Sequence, residues 1–220
     1  MNPIVQWDRD LFLAINHGWR TDFLDRIMPY ITDLGLGNVL AIISISVALV
    51  LGFFAGDWRG ETLIGGAKES LRNRAWWLVP SLFSLIFCLT INIPKVIPRE
   101  RPWWYYQLEH KAGRQLDKYV IAVPGTRPLR VRGFPSGHTA SVIAVAMAIT
   151  LATRRRKRHP VLMPAIWMAA SLISFSRIYV ADHWPLDVVG GALWGMVCGL
   201  CGYYMYQRKY PDPEINHEIT

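Results

Sequence analysis

Five stretches of this chain contain no Asp, Glu, Lys or Arg: residues 36–54, 75–94, 134–153, 160–176 and 188–206. Each is roughly 17–20 residues long, and about 20 helical residues cross the ~30 Å hydrocarbon core of a bilayer. One such run could be a buried helix in a soluble protein, but five in 220 residues leave too little polar chain to cover them. In lipid every backbone group must be satisfied internally, which leaves helices or closed barrels. The runs are apolar all round and show no strict two-residue alternation, so a barrel is excluded. The expected fold is all-α, a single domain over residues 1–220 built as a polytopic membrane bundle of five transmembrane helices. Composition agrees: 52% of residues are apolar and 18% charged. Ten Trp are too many for a disordered chain, and three Cys are too few and odd in number for a disulfide scaffold.

The first 35 residues differ. Asp8, Arg9, Asp10, Arg20, Asp22, Asp25, Arg26 and Asp33 are interleaved with apolar positions, and Phe23, Ile27, Tyr30, Ile31 and Leu34 recur at near-helical spacing. One or two amphipathic helices lying on the membrane or against the bundle are expected, with a sixth, weakly apolar span as the alternative. No charged start precedes an uninterrupted apolar core and cleavage site, so no signal peptide is expected.

The formal charge is +8, which points to an anionic partner. Basic residues in 57–74, the Arg154–Arg158 run and the tail after Tyr206 belong on the cytoplasmic side. Counting spans then places the N-terminus, segment 95–135 and turn 177–187 on the outer face of the cytoplasmic membrane, the periplasmic side in a two-membrane cell. Segment 95–135 holds nine basic residues against three acidic ones, which a translocated loop normally avoids. Binding an anion there would account for them. The candidate anions are lipid head groups or a phosphorylated substrate, with nucleic acid not expected as the partner of a membrane bundle.

Three polar clusters should open on that face: Lys95–Pro102, Pro135-Ser136-Gly137-His138, and Ser176-Arg177 with His183 and Asp187. Ser136, Gly137 and His138 begin a helix, whose first N–H groups and positive dipole end favour phosphate. Arg101 and Arg177 can grip phosphate oxygens in two-pronged fashion, and Lys95 can add a compact charge. His183 and Asp187 lie four apart with Pro185 suited to the first helical turn, so the carboxylate can reach back to orient the imidazole. His183 is then the better nucleophile, and His138 the group that protonates the departing oxygen and activates water. Asp182 reads as a helix cap in preference to a catalytic group. Cys198 and Cys201, and Gly190, Gly191, Gly195, Gly199 and Gly202, read as small residues for close helix packing. No Asp/Glu cluster has metal-ligand spacing, so neither metal nor cofactor is expected.

These residues resemble the type-2 phosphatidic acid phosphatase superfamily of membrane lipid phosphatases. Pro-Ser-Gly-His and Ser-Arg-x5-His-x3-Asp match residue for residue, while Lys95 and Arg101 enclose five residues where the family's first motif has six. Either the helix end adjusts, or Arg99 acts in place of Lys95. The resemblance implies metal-independent chemistry through a phosphohistidine. His183 is the nucleophile, Asp187 its orienting carboxylate and His138 the acid/base. Lys95, Arg101, Ser136, Gly137 and Arg177 hold the phosphate. It implies hydrolysis of a lipid phosphate or diphosphate, with undecaprenyl diphosphate ahead of phosphatidylglycerophosphate and lipid A phosphate. The alternatives are a lipid phosphotransferase and a non-catalytic lipid-binding or transport protein.

Overall fold

The computed structural model describes residues 2–54, 78–90, 99–113, 120, 121, 123, 133–153 and 161–209. Among them are eight helices and no strand. In chain order they are α1 (Pro3–Gly18), α2 (Asp22–Asp33), α3 (Gly37–Phe54), α4 (Leu78–Thr90), α5 (Pro102–Lys111), α6 (Gly137–Ala152), α7 (Leu162–Tyr179) and α8 (Pro185–Lys209). The five apolar runs correspond to α3, α4, α6, α7 and α8. Two helices, α7 and α8, are long and apolar enough to cross a membrane alone. The pair α2–α3, bent by 80° at its break, would make a third span if taken together, and α4 and α6 are shorter apolar helices. The chain is thus an integral membrane protein, all-helical among the described residues.

Helix starts follow local sequence. Asn2 caps α1 by accepting the Ile4 N–H at 2.9 Å, and Thr21 caps α2 through Leu24 N at 3.2 Å. Pro3, Pro102 and Pro185 occupy first-turn positions, where a missing N–H costs nothing.

Helix α6 forms the middle of the bundle: Ala140, Val142, Ile143, Ala144, Val145, Ala146 and Ala148 are all buried. It packs on α8, α4 and α7. The approach to α8 is close because that helix presents glycines. A Cβ on Gly195 would lie 2.5 Å from the Ala140 carbonyl oxygen, and one on Gly199 would lie 2.7 Å from Met147 Cβ. Helices in lipid gain little from burying apolar surface against each other, so this backbone-to-backbone fit carries much of the association. Gly195→Leu is expected to lower stability by about 1–3 kcal/mol or more through overpacking, read as a lower melting temperature in detergent. An unchanged melt would show that the α6–α8 contact yields easily. Cys88 and Cys198 are buried in one small-residue cluster with Ala140 and Ala144, while Cys201 is exposed.

The N-terminal helices dock against the bundle. On α1 the buried residues are Asp8, Phe12, Ile15 and Asn16, one helical face. Phe12 meets Trp184 edge-on at 5.1 Å. Asn16 exchanges two hydrogen bonds with the Ile121 backbone, at 2.8 and 3.0 Å. Helix α2 is tied to α7 by Tyr179, whose hydroxyl donates to Asp25 Oδ1 at 2.6 Å. The apolar positions of α2 divide between the bundle, where Leu24 and Ile31 pack on buried residues, and the outside. Met28 and Thr32 are buried, whereas Phe23 and Tyr30 are 68% and 76% exposed. Those rings sit beside Asp22, Arg26 and Asp33, a mixture suited to a membrane–water interface.

Candidate active site

Backbone contacts bring the three predicted clusters together at one end of the bundle. Ser136 N donates to the Asp187 carbonyl at 2.9 Å, joining the start of α6 to the start of α8. Gly133 N donates to the Arg99 carbonyl at 3.0 Å, joining the segment before α6 to the one before α5. A Cβ on Gly133 would lie 3.0 Å from Asp187 Oδ2 and 3.6 Å from Arg101 Cγ, so a larger residue there would press on both. Lys95 lies outside the described residues, as does the Arg154–Arg158 run.

The turn from α7 to α8 shapes the third cluster. Asp182 N and His183 N both donate to the Arg177 carbonyl at 3.1 Å. The turn passes through Ala181 at φ 63°, a left-handed conformation that a residue with a Cβ adopts at some cost, and such strain often accompanies functional sites. It folds Asp182 back onto its own helix end. The carboxylate ion-pairs with Arg177 through Oδ2 and with Arg101 through Oδ1. Asp182 is therefore a clamp on two arginines, not the cap of α8, which begins three residues later. Two guanidinium groups repel each other when buried, and a shared carboxylate between them offsets that repulsion.

Arg177 also donates to Thr32 Oγ1 at 2.6 Å, which fixes its fork from the α2 side. The Nε atoms of Arg101 and Arg177 are buried with no hydrogen-bond acceptor among the described residues. Burial pushes the Arg101 guanidinium down to about 10, while the Asp187 charge pulls it back up. It therefore stays cationic at neutral pH. Two clamped arginines with donors to spare can hold an oxyanion.

His183 and Asp187 are almost wholly buried, with His183 Nδ1 3.5 Å from Asp187 Oδ2. The same oxygen accepts from Trp184 N at 3.0 Å. Its partner Oδ1 accepts from Arg99 Nη1 at 2.8 Å. Arg99 is thus engaged with carboxylates in this arrangement. Its other terminal nitrogen pairs with Asp8 of α1, whose Oδ1 accepts from Leu186 N at 2.8 Å. Asp8 was not singled out by motif reasoning. The available signal was its place one turn before Phe12 on the buried stripe of α1, where a lone carboxylate needs a reason.

Ser136 caps α6: its Oγ accepts from Thr139 N at 3.5 Å and lies 3.0 Å from Thr139 Oγ1. A Cβ on Gly137 would meet nothing within 4 Å among the described residues, so the first turn of α6 is open to them at that residue. His138, the second residue of α6, is half-buried against the α2–α3 turn. A Cβ on Gly35 would lie 3.1 Å from both Cβ and Cδ2 of His138, and 2.8 Å from the Ile173 side chain. If His138 is the acid/base group, Gly35→Ala is expected to displace its ring and slow turnover by about tenfold, a part of the roughly 10²–10⁴-fold that general acid–base catalysis contributes. Steady-state kinetics would check it, and unaltered kcat would mean that the turn does not set the imidazole.

Fold and site define an integral membrane protein, helical throughout its described residues, with a buried, carboxylate-clamped cationic site where helix ends meet. The chain belongs to the PAP2 superfamily, whose family model matches residues 74–211. It is 36% identical over 93 residues to the lipid A 4'-phosphatase of Porphyromonas gingivalis, covering 41% of this chain and 37% of that protein. It is 37% identical over 68 residues to the undecaprenyl-diphosphatase of Sulfolobus acidocaldarius, covering 28% of each. The aligned segments thus span well under half of these relatives. The crystal structure of Aquifex aeolicus LpxE has the same fold, with a TM-score of 0.60 over 89% of this chain and 93% of that one at 24% identity.

Proposed function

We propose that this protein is a lipid phosphatase that hydrolyses a phosphomonoester or diphosphate of a membrane lipid through a phosphohistidine, without a metal ion. The observation that carries this reading is the pairing of two clamped arginines with a buried His183–Asp187 couple at the same helix-end junction. In the proposed first step the imidazole Nε2 of His183 attacks phosphorus. The nitrogen lone pair forms the N–P bond while the bond from phosphorus to the lipid oxygen breaks, and His138 gives that oxygen a proton. Water then attacks phosphorus, His138 takes its proton, and the N–P bond breaks to release orthophosphate. Arg101, Arg177 and the first turn of α6 at Ser136 and Gly137 stabilise the charge on the pentacoordinate transition state; losing one such donor typically costs about 3–4 kcal/mol. Asp187 holds the imidazole in the required tautomer.

The lipid reading is supported by where the site lies. Trp184, Tyr105 and Tyr106 cluster beside it, rings of the type that collect at the membrane interface. A substrate tail can stay in the bilayer while its head group reaches the arginines. On this reading the whole chain works as one unit of five transmembrane helices, with its site on the outer face of the cytoplasmic membrane. A diphosphate head suits several cations, so undecaprenyl diphosphate is the first substrate to test. Lipid A phosphates follow because relatives carrying that name are similar to this chain. Purified protein given these lipids and phosphatidylglycerophosphate, with chelator present, should release phosphate from at least one. Absence of release, or release abolished by chelation, would contradict the metal-free reading. A phosphorylated lipid product in place of free phosphate would make the enzyme a phosphotransferase.

A further inference from the structure

We propose that Asp8, in the N-terminal helix, is a positioning residue for the reaction, acting through Arg99 on the carboxylate that orients His183. The role assigned to it rests on the phosphatase reading above. Asp8 is fully buried and lies outside both the three motifs and the stretch matched by the family model. From α1 it reaches the two elements that matter. Its Oδ2 pairs with Arg99, and its Oδ1 accepts the Leu186 N–H in the first turn of α8. Arg99 in turn holds Asp187 Oδ1 at 2.8 Å, leaving Oδ2 for Trp184 N and His183 Nδ1. The result is a continuous line, Asp8–Arg99–Asp187–His183, running from a helix outside the motifs to the nucleophile.

A plain structural role, capping α8, would need the Leu186 contact alone. The bond to Arg99 does something further. Arg99 paired with Asp187 alone would form a neutral couple, and the carboxylate's pull on the imidazole would weaken. A second carboxylate on the far side of Arg99 leaves the trio with one net negative charge, so the guanidinium cancels less of the Asp187 charge that the imidazole feels. It also holds the guanidinium from behind, so that Asp187 is not drawn off the ring. The guanidinium lies over Trp184, 5.4 Å from the ring centroid, which fixes its plane.

Asp8→Asn separates the two roles. The amide oxygen can still accept from Leu186 N, but the charge opposite Arg99 is gone. With undecaprenyl diphosphate or lipid A phosphate as substrate for the full chain, Asp8→Asn is expected to lower kcat about 10–100-fold, the range carried by outer partners that orient an imidazole. KM should stay within about threefold, since Arg101 and Arg177 are untouched. Vanadate, an oxyanion that can bond to the imidazole nitrogen, should bind about tenfold more weakly by calorimetry. Asp8→Glu, which keeps the charge, should recover a large part of kcat. Wild-type kcat in Asp8→Asn would overturn the proposal. So would equal losses in Asn and Glu variants that track a lowered melting temperature. If the wild-type chain binds vanadate yet releases phosphate from no lipid, the phosphatase reading fails and vanadate affinity alone decides: tenfold weakening supports the positioning role, and unchanged affinity overturns it.

Discussion

Replacing His183 by Ala is expected to reduce phosphate release by about four orders of magnitude or more, with KM little changed. Removing a nucleophile that acts as part of a unit costs roughly that much or more, and the residual rate comes from binding and charge stabilisation. His183 is 1% exposed and faces Asp187, so the substitution also leaves that carboxylate beside Arg99 without its imidazole. His138→Ala should cost less, about 10²–10⁴-fold, because an acid/base group contributes in that range and a leaving group of low basicity needs it least. Comparing a diphosphate with a monophosphate substrate therefore separates the two histidines. The His138 variant should suffer less on the diphosphate, whereas the His183 variant should suffer equally on both. An active His183→Ala protein would remove the basis of the proposed chemistry.

The second large effect concerns Asp182. Its carboxylate is shared between Arg101 and Arg177, all three residues being buried. Taking one partner out of a buried ionic group leaves uncompensated charge and typically costs about 3–5 kcal/mol. Asp182→Ala should accordingly melt well below the wild type in detergent. The loss has a specific remedy, because an oxyanion can take the carboxylate's place between the two guanidinium groups. Millimolar phosphate or vanadate should raise the melting temperature of Asp182→Ala more than that of the wild type, by the ordinary linkage between binding and stability. A variant that is destabilised but indifferent to both anions would mean that the arginines do not form an oxyanion cradle. Asp182→Asn, which retains the shape without the charge, should fall between the two.

Much of this architecture was legible in the chain, for identifiable reasons. Charge-free runs locate α3, α4, α6, α7 and α8, and of these α7 and α8 are long and apolar enough to cross a membrane alone. Pro185 marks the first turn of α8, and glycines at 195 and 199 mark a close helix contact, because backbone geometry leaves few other residues that fit. Ser136, Gly137, Arg177, His183 and Asp187 follow from local spacing. What escaped were contacts between distant segments. Asp182 could be read as a cap because its two arginine partners are set by the left-handed turn at Ala181 and by the approach of Arg101 from another part of the chain. Asp8 meets Leu186 across 178 residues, and nothing in the local pattern around either reveals the other. Which face of α2 the bundle covers was left open for a related reason. Helical spacing identifies an apolar stripe but not whether protein or membrane covers it.

The proposed chemistry requires covalent capture of phosphorus by one imidazole. Purified protein mixed with lipid substrate labelled in the phosphate to be removed, quenched within milliseconds and digested under alkaline conditions, would reveal the adduct directly. The expected result is an acid-labile, base-stable label on the peptide carrying His183, present with chelator, absent from His183→Ala and accumulating in His138→Ala. Label on another residue, or steady turnover with no label at any quench time, would contradict it.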